Sequence, residues 1–124
     1  MPEAPFNRNY EKGVLGEAAA EEFLSQQGMR CIDRRYHSPY GEIDLILLDG
    51  EILIFAEVKA RQRGTLQAAQ SAVTPAKQKR IIQTALCYLN EHPEHANRLM
   101  RFDVLALAGD CISHLPDAFQ GSGW

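Results

Sequence analysis

The stretch from Glu42 to Ala60 constrains this chain most. Two β-rich runs, Glu42 to Leu48 and Glu51 to Ala60, flank Asp49-Gly50, a dipeptide that favours the two-residue turn of a β-hairpin. Such a turn predicts Leu48 opposite Glu51, and therefore Asp44 opposite Phe55 and Glu42 opposite Glu57. Side chains alternate along a strand, so Glu42, Asp44, Glu57 and Lys59 are expected on one face. Asp44 and Glu57 then become diagonal neighbours within reach of one shared ion.

Other elements follow on either side. Gly13 to Gln27 is rich in Ala, Glu and Leu and is closed by Gly28, which predicts a first helix. Arg30 to Tyr36 alternates loosely, as a first strand. Thr74-Pro75 opens a second helix as N-cap and first residue, with Ile81, Ile82, Ala85, Leu86 and Leu89 as its core face. Arg101 to Ala108 reads as another strand, Cys111 to Leu115 as a shorter one, and the tail from Ala118 has no regular pattern. The expectation is a single α/β domain over residues 1–124, with the order α-β-β-β-α-β. Residues 1–12 are expected to form a flexible arm and 62–73 a mobile loop.

Composition limits the function classes. At 124 residues, 45% hydrophobic and 23% charged, the chain suits one globular domain. No apolar run approaches the roughly 20 residues of a membrane span, and the acidic, h-region-free N-terminus is no signal peptide. A cytoplasmic protein without membrane attachment is expected. Cys31, Cys87 and Cys111 are odd in number and widely spaced, so reduced, partly buried thiols are expected rather than a disulfide frame or zinc site. The net charge of −3 argues against an indiscriminate polyanion binder, but its distribution is uneven. From Val58 to Asn90 there is no acid, while Lys59, Arg61, Arg63, Lys77, Lys79 and Arg80 all fall there. A carboxylate cluster followed by a basic stretch suits a protein that holds a cation and faces a polyanion such as nucleic acid.

Carboxylates gathered at one end of an apolar hairpin repel one another, and burial raises the cost. A proton, Lys59 or a divalent cation must neutralise them. Oxygen ligands favour Mg²⁺ or Mn²⁺, which can acidify water and polarise a phosphoryl oxygen. Lys59, two residues from Glu57 on the same face, is placed to orient water or stabilise developing negative charge. A carboxylate-x-lysine alone is usually a solvated ion pair; Asp44, the apolar strands and the basic stretch lift this one above that reading. By spacing alone Glu17, between Gly16 and the alanines of the first helix, is an ordinary helical glutamate.

Taken together, Glu17 in a first helix, Asp44, Glu57-Val58-Lys59 in a hairpin and a following helix resemble the PD-(D/E)XK nuclease superfamily. More narrowly, GVLGEAAAEEFL, GEIDLILLDG, LIFAEVKAR and RFDVLAL resemble the YraN-like bacterial proteins, which are similar to archaeal Holliday-junction resolvases. The likeness spans about Gly13 to Leu107. It implies a restriction-endonuclease-like fold with a central mixed sheet flanked by helices. It implies Asp44, Glu57 and the Val58 carbonyl as metal ligands, Lys59 as catalytic and Glu17 as a supporting catalytic residue; Glu42, a possible additional acid, comes from the hairpin register, and many members of the superfamily carry no acid there. The expected activity is Mg²⁺-dependent hydrolysis of phosphodiester bonds in DNA, structured or branched DNA included, by a protein that can act as a homodimer. The alternative is a non-catalytic nucleic-acid-binding protein on the same fold. Ile43 stands where the superfamily's named proline would precede Asp44, and Gln83 and Tyr88 lack the Gln-x-x-x-Tyr spacing of many relatives.

Among the remaining features, Arg61 and Arg63 follow the site directly and are expected to contact phosphates, as are Lys77, Lys79 and Arg80. Tyr36, His37 and Tyr40 are candidates for base stacking, with Tyr36 more simply in the core and His37 in an exposed loop. His92 and His95 read as helix-terminal cations. No serine-hydrolase arrangement or phosphate-cradling glycine loop is present.

Overall fold

A computed structural model describes residues 8–61, 73–108 and 111–119, apart from the side chains of 8–15, 60 and 61. The elements run α1 (Arg8–Gln26), β1 (Arg30–Ser38), β2 (Gly41–Asp49), β3 (Ile52–Arg61), α2 (Pro75–Glu91), a 3-10 turn (Pro93–His95), β4 (Met100–Ala108) and β5 (Cys111–Phe119). The strands form one sheet in the order β1-β2-β3-β4-β5, with β3 and β4 parallel and every other pair antiparallel. A parallel pair needs a crossover, and α2 lies in the segment that connects β3 to β4. The predicted α/β mixed sheet with flanking helices is therefore present.

Each face of the sheet has its own core. Ala20 and Leu24 of α1 pack with Leu45, Leu47, Ile54, Ala56 and Leu105. On the other face Ile81, Ala85 and Tyr88 of α2 pack with Ile46, Leu53, Phe55, Phe102 and Val104. The alternation Leu53, Ile54, Phe55, Ala56 thus feeds both layers in turn. Burying one side chain the size of Leu or Phe contributes about 1.5–3 kcal/mol, so both faces are firmly held.

Local chemistry explains the element ends. Gly28 adopts φ 92°, its N–H donates to the Ser25 carbonyl (3.0 Å), and the Met29 N–H reaches the Leu24 carbonyl (3.1 Å). That double closure is a Schellman motif, sealed by Met29 and Leu24 in one core. Thr74 caps α2 as predicted, its Oγ1 accepting from the Lys77 N–H (3.2 Å) ahead of Pro75.

Several expectations need correction. The hairpin pairs Asp49 with Ile52, so the turn is Gly50-Glu51, with Gly50 at φ 60°. A positive φ at the first central residue alone suits a II′ turn better than the expected placement on Asp49-Gly50. The register moves by two residues, an even slip that keeps each residue's face. α1 begins at Arg8, so residues 8–12 of the expected arm are helical; residues 1–7 lie outside the described residues. Of the expected loop, 62–72 also lie outside them, while Val73 is buried in the α2-side core. Leu86 is 48% exposed, because it falls one residue beyond the Ile81-Ala85-Tyr88 stripe; Thr84 and Tyr88 are buried instead. β5 runs on to Phe119, whose ring stacks on Phe102 at 5.0 Å. An edge strand tolerates Pro116 because its outer N–H positions need no partner. Cys31 and Cys87 are half-buried but Cys111 is exposed, and all three are free thiols. Among the described residues no helix is long and apolar enough to cross a membrane.

Candidate functional site

The β2–β3 ladder ends at Leu45–Ala56, and one step further along that register brings Asp44 level with Glu57. There the strands cease to pair through backbone groups. Instead the Val58 N–H donates to Asp44 Oδ2 at 2.8 Å. In an extended strand a residue's N–H and C=O point to the same side, so the Val58 carbonyl also faces this opening. Regular alternation fails at Asp44: Ile43 packs in the α2-side core and Leu45 in the α1-side core. Opposite Asp44 in the β1–β2 register stands Arg35, with φ 49°. A left-handed backbone at a non-glycine residue is strained, and strain of this kind gathers at functional sites.

Asp44 is half-buried, and its acidity is strongly perturbed. Burial first, then the negative charges of Glu57 and Glu17 and a hydrogen bond with Glu57, push its pKa up to about 8 despite the Val58 N–H. Asp44 therefore keeps its proton near neutral pH, beside Glu57. Glu57 is buried, and its Oε2 receives two ammonium groups, Lys77 Nζ at 2.9 Å and Lys59 Nζ at 3.5 Å. Burial, followed by the hydrogen bond and repulsion from Lys77, lowers the Lys59 pKa. Burial also works against the charge on Lys77, but hydrogen bonds with Lys59 and Glu57 and attraction to Glu57 and Asp44 outweigh it, and that pKa rises.

The other expected residues are distributed unevenly. Glu17 faces the site from α1 but is held by Arg35, with Nε–Oε1 at 2.9 Å and Nη2–Oε2 at 3.4 Å. Gly16 lies on the sheet; a Cβ there would stand 3.6 Å from Leu107 Cδ1, an ordinary contact. Glu42 is paired with His37 (Oε1–Nε2 2.9 Å) rather than gathered with Asp44 and Glu57. The broken alternation at Asp44 is the reason it leaves the expected face. His37 accordingly belongs to β1, not a loop. Lys79 and Arg80 are exposed on the first turns of α2. Arg61 ends β3, its side chain outside the described residues, as is all of Arg63. Tyr36 is half-buried, edge-on to Tyr88 at 5.0 Å, and its hydroxyl donates to Glu91 (2.9 Å).

His92 and His95 do not act as a cation pair. His95 Nδ1 accepts from Arg98 Nε at 2.9 Å, which requires an unprotonated nitrogen, and burial and Arg98 lower its pKa. Arg35 is the site residue that spacing missed. Lys77, expected as a phosphate contact, instead has its ammonium group on Glu57 Oε2, inside the carboxylate site.

The fit to a divalent cation is good in kind. Asp44, Glu57 and the Val58 carbonyl are hard oxygen donors, and the raised pKa of Asp44 marks a carboxyl whose charge a cation would stabilise. Among the described residues, no three His, Cys, Asp or Glu side chains converge as a metal cluster. Two carboxylates with backbone oxygen and water match the habit of Mg²⁺, which keeps several waters.

A second buried carboxylate lies across the sheet. Asp103 receives Arg101 through Nε and Nη2 (2.8 and 2.9 Å), His114 Nε2 (2.7 Å) and the Asp117 N–H (3.0 Å). Burial presses its pKa upward, but bonds from His114, Arg101 and the Asp117 N–H outweigh that and hold it below the usual aspartate value. An aspartate inside the apolar run RFDVLALA was its only signal in the sequence.

Comparison with known proteins places residues 16–107 in agreement with the group described as "Uncharacterised protein family UPF0102". A UPF0102 protein of Rhodopseudomonas palustris (strain BisB18) is 44% identical over 114 residues, covering 91% of this chain and 83% of its own. One from Alcanivorax borkumensis is 44% identical over 98 residues, covering 79% and 78%. One from Bradyrhizobium sp. (strain BTAi1) is 40% identical over 114 residues, covering 91% and 82%.

Proposed function

The chain belongs to the UPF0102 family, and we propose that it is a metal-dependent nuclease that hydrolyses phosphodiester bonds in DNA. The observation that carries this reading is the convergence of the Asp44 and Glu57 carboxyls with Lys59 and Lys77, at the point where β2 and β3 part. A structural carboxylate would be satisfied by its neighbours, as Asp103 is. Lys59 and Lys77 meet Glu57, while Asp44 accepts the Val58 N–H and keeps a raised pKa, the condition expected of a functional acid.

In this reading the fold is of the restriction-endonuclease type and the site is that of a PD-(D/E)XK enzyme. Asp44, Glu57 and the Val58 carbonyl hold Mg²⁺ or Mn²⁺. When bound, the ion supplies Lewis acidity toward a phosphoryl oxygen and makes water more acidic. Lys59, with its pKa lowered, orients the attacking water and meets negative charge as it develops. Lys77 fixes the Glu57 carboxylate, and Glu17 acts at one remove by holding Arg35 beside Asp44. Lys79, Arg80, Arg61 and Arg63 contact flanking phosphates. A homodimer in the cytoplasm would place two such sites on one branched substrate.

The test is a cleavage panel over linear, flapped and four-way DNA with Mg²⁺, Mn²⁺ or EDTA. Metal-dependent products that vanish in Glu57→Gln and Lys59→Ala support the reading. Salt-sensitive DNA binding with no cutting of any form would move the protein to the accessory class.

A further inference from the structure

The side of α2 that faces away from the core carries a groove of about 280 Å³, lined by Tyr40, Gln83, Leu86, Cys87 and Asn90. Tyr40 is 49% and Leu86 48% exposed. Single exposed apolar residues are ordinary. Here two of them flank one hollow whose other walls include the amides of Gln83 and Asn90. Its volume falls near the lower edge of small-ligand pockets, about 300 Å³, which suits one ring system.

The groove is held in shape. Tyr40 sits in the turn between β1 and β2, and its N–H donates to Ser38 Oγ at 3.1 Å. Ser38 Oγ and the fully buried Thr84 Oγ1 are 2.8 Å apart, and Thr84 Oγ1 also donates to the Arg80 carbonyl (2.8 Å). A Cβ at Gly41 would touch Thr84 Oγ1 at 3.7 Å and Arg80 Cβ at 3.8 Å, so the turn lies directly on α2. The turn that carries Tyr40 is thus held against the helix that supplies the amides.

The groove also continues the proposed active site. Lys77, at Glu57 Oε2, stands roughly 9 Å along the helix axis from Gln83 at 1.5 Å per residue. At about 100° per residue, Lys79, Arg80, Gln83, Leu86, Cys87 and Asn90 fall within about a third of the helix circumference. By the same count Lys77 lies about 60° further round than Arg80, on the sheet-facing side, so Arg80 stands between the carboxylate site and the groove while Lys79 borders the groove itself. The acids on the flanking elements are engaged, Glu42 by His37 and Glu91 by the Tyr36 hydroxyl.

We propose that this groove takes one unstacked base of a single-stranded nucleic-acid segment whose backbone runs on past Lys79 and Arg80 to a phosphate at Asp44 and Glu57. The Tyr40 ring stacks on the base face, Leu86 covers its edge, and the Gln83 and Asn90 amides, each both donor and acceptor, meet its polar rim. Lys79 and Arg80 hold the intervening phosphates. The inference rests on the nuclease reading for its location and narrows the substrate to DNA with unpaired nucleotides, since a stacked base pair cannot enter.

Fluorescence anisotropy in EDTA, where no cutting intervenes, reads the binding of a labelled single-stranded oligonucleotide and of a blunt duplex. Tyr40→Ala is expected to weaken single-strand binding about tenfold, with Tyr40→Phe near wild type and duplex binding unchanged. The oligonucleotide should also slow thiol labelling of Cys87. Equal single-strand affinity of wild type and Tyr40→Ala overturns the proposal, as does an absence of single-strand binding. Tyr40-dependent dimers in sedimentation that ignore the oligonucleotide overturn it too, by assigning the groove to a second copy. Metal-dependent cutting lost in Glu57→Gln, beside a Tyr40→Ala variant that binds normally, removes the groove and leaves the nuclease reading standing. Tyr40-dependent binding without any cutting does the reverse.

Discussion

Asp103 and Asp44 are both carried into the sheet by apolar strands, and their surroundings treat them in opposite ways. Around Asp103 a guanidinium, an imidazole and a backbone N–H supply a donor for each direction the carboxylate can accept from, and its pKa falls. Around Asp44 the fold supplies a second carboxylate, a third in Glu17 and one N–H, with the ammonium groups of Lys59 and Lys77 directed to Glu57, and its pKa rises to about 8. The first arrangement is complete without a ligand. The second leaves Asp44 favouring a proton or a cation. Burial alone therefore does not mark a functional acid; the sign of its neighbours does.

The sharpest way to break this contrast is to exchange the charges. Glu57→Gln is expected to reduce single-turnover cleavage at least a thousandfold, while its urea midpoint stays near wild type or rises. Asp103→Ala should do the opposite. Stranding Arg101 and His114 in a buried network is expected to cost about 3–5 kcal/mol in urea unfolding, with metal affinity unchanged in whatever fraction remains folded. If Asp103→Ala were as stable as wild type, the division into satisfied and unsatisfied acids would collapse.

Metal binding gives a finer test. With its pKa raised to about 8, Asp44 holds a proton near neutral pH that a cation must displace. Calorimetry at pH 7 in buffers of different ionisation enthalpy is expected to show release of roughly one proton per Mn²⁺ bound. Asp44→Asn should lose that release together with most of the affinity. Removal of metal with EDTA should lower the thermal midpoint of wild type at pH 8 and leave Asp44→Asn unmoved.

A smaller effect should appear in stability against pH. Because the folded-state pKa of Asp44 is raised, protonated Asp44 favours the folded state, fully so below the ordinary aspartate range. That contribution is lost as pH rises from the ordinary aspartate value toward about 8. Metal-free protein is thus expected to melt a few degrees lower at pH 8 than at pH 5, and Asp44→Asn to flatten the difference. A wild-type midpoint that climbs across this window, with Asp44→Asn climbing equally, would show that other groups dominate.

Much of the fold was legible in residue order. Apolar alternation over Glu42–Ala60, the Thr74-Pro75 cap and the Gly28 stop are local signals, and the elements they predict are present with ends moved by a few residues. Short-range chemistry sets such features, so a single chain segment suffices to read them. The site was legible in its pairing but not in its membership. Asp44 and Glu57 came together through strand register, and an even slip in the turn left their faces unchanged. Glu42 was misplaced because the alternation breaks at Asp44, opposite the strained Arg35, and no local pattern announces such a break.

The sequence by itself determined an α/β chain with two acids and a lysine near one end of a hairpin, because periodicity and turn chemistry act over a few residues. Only the tertiary structure decided which acid is frustrated and which is satisfied. That choice depends on Lys77 arriving from α2, Glu17 from α1 and His114 from β5. These groups are far apart along the chain, and electrostatic energy depends on their distance in space.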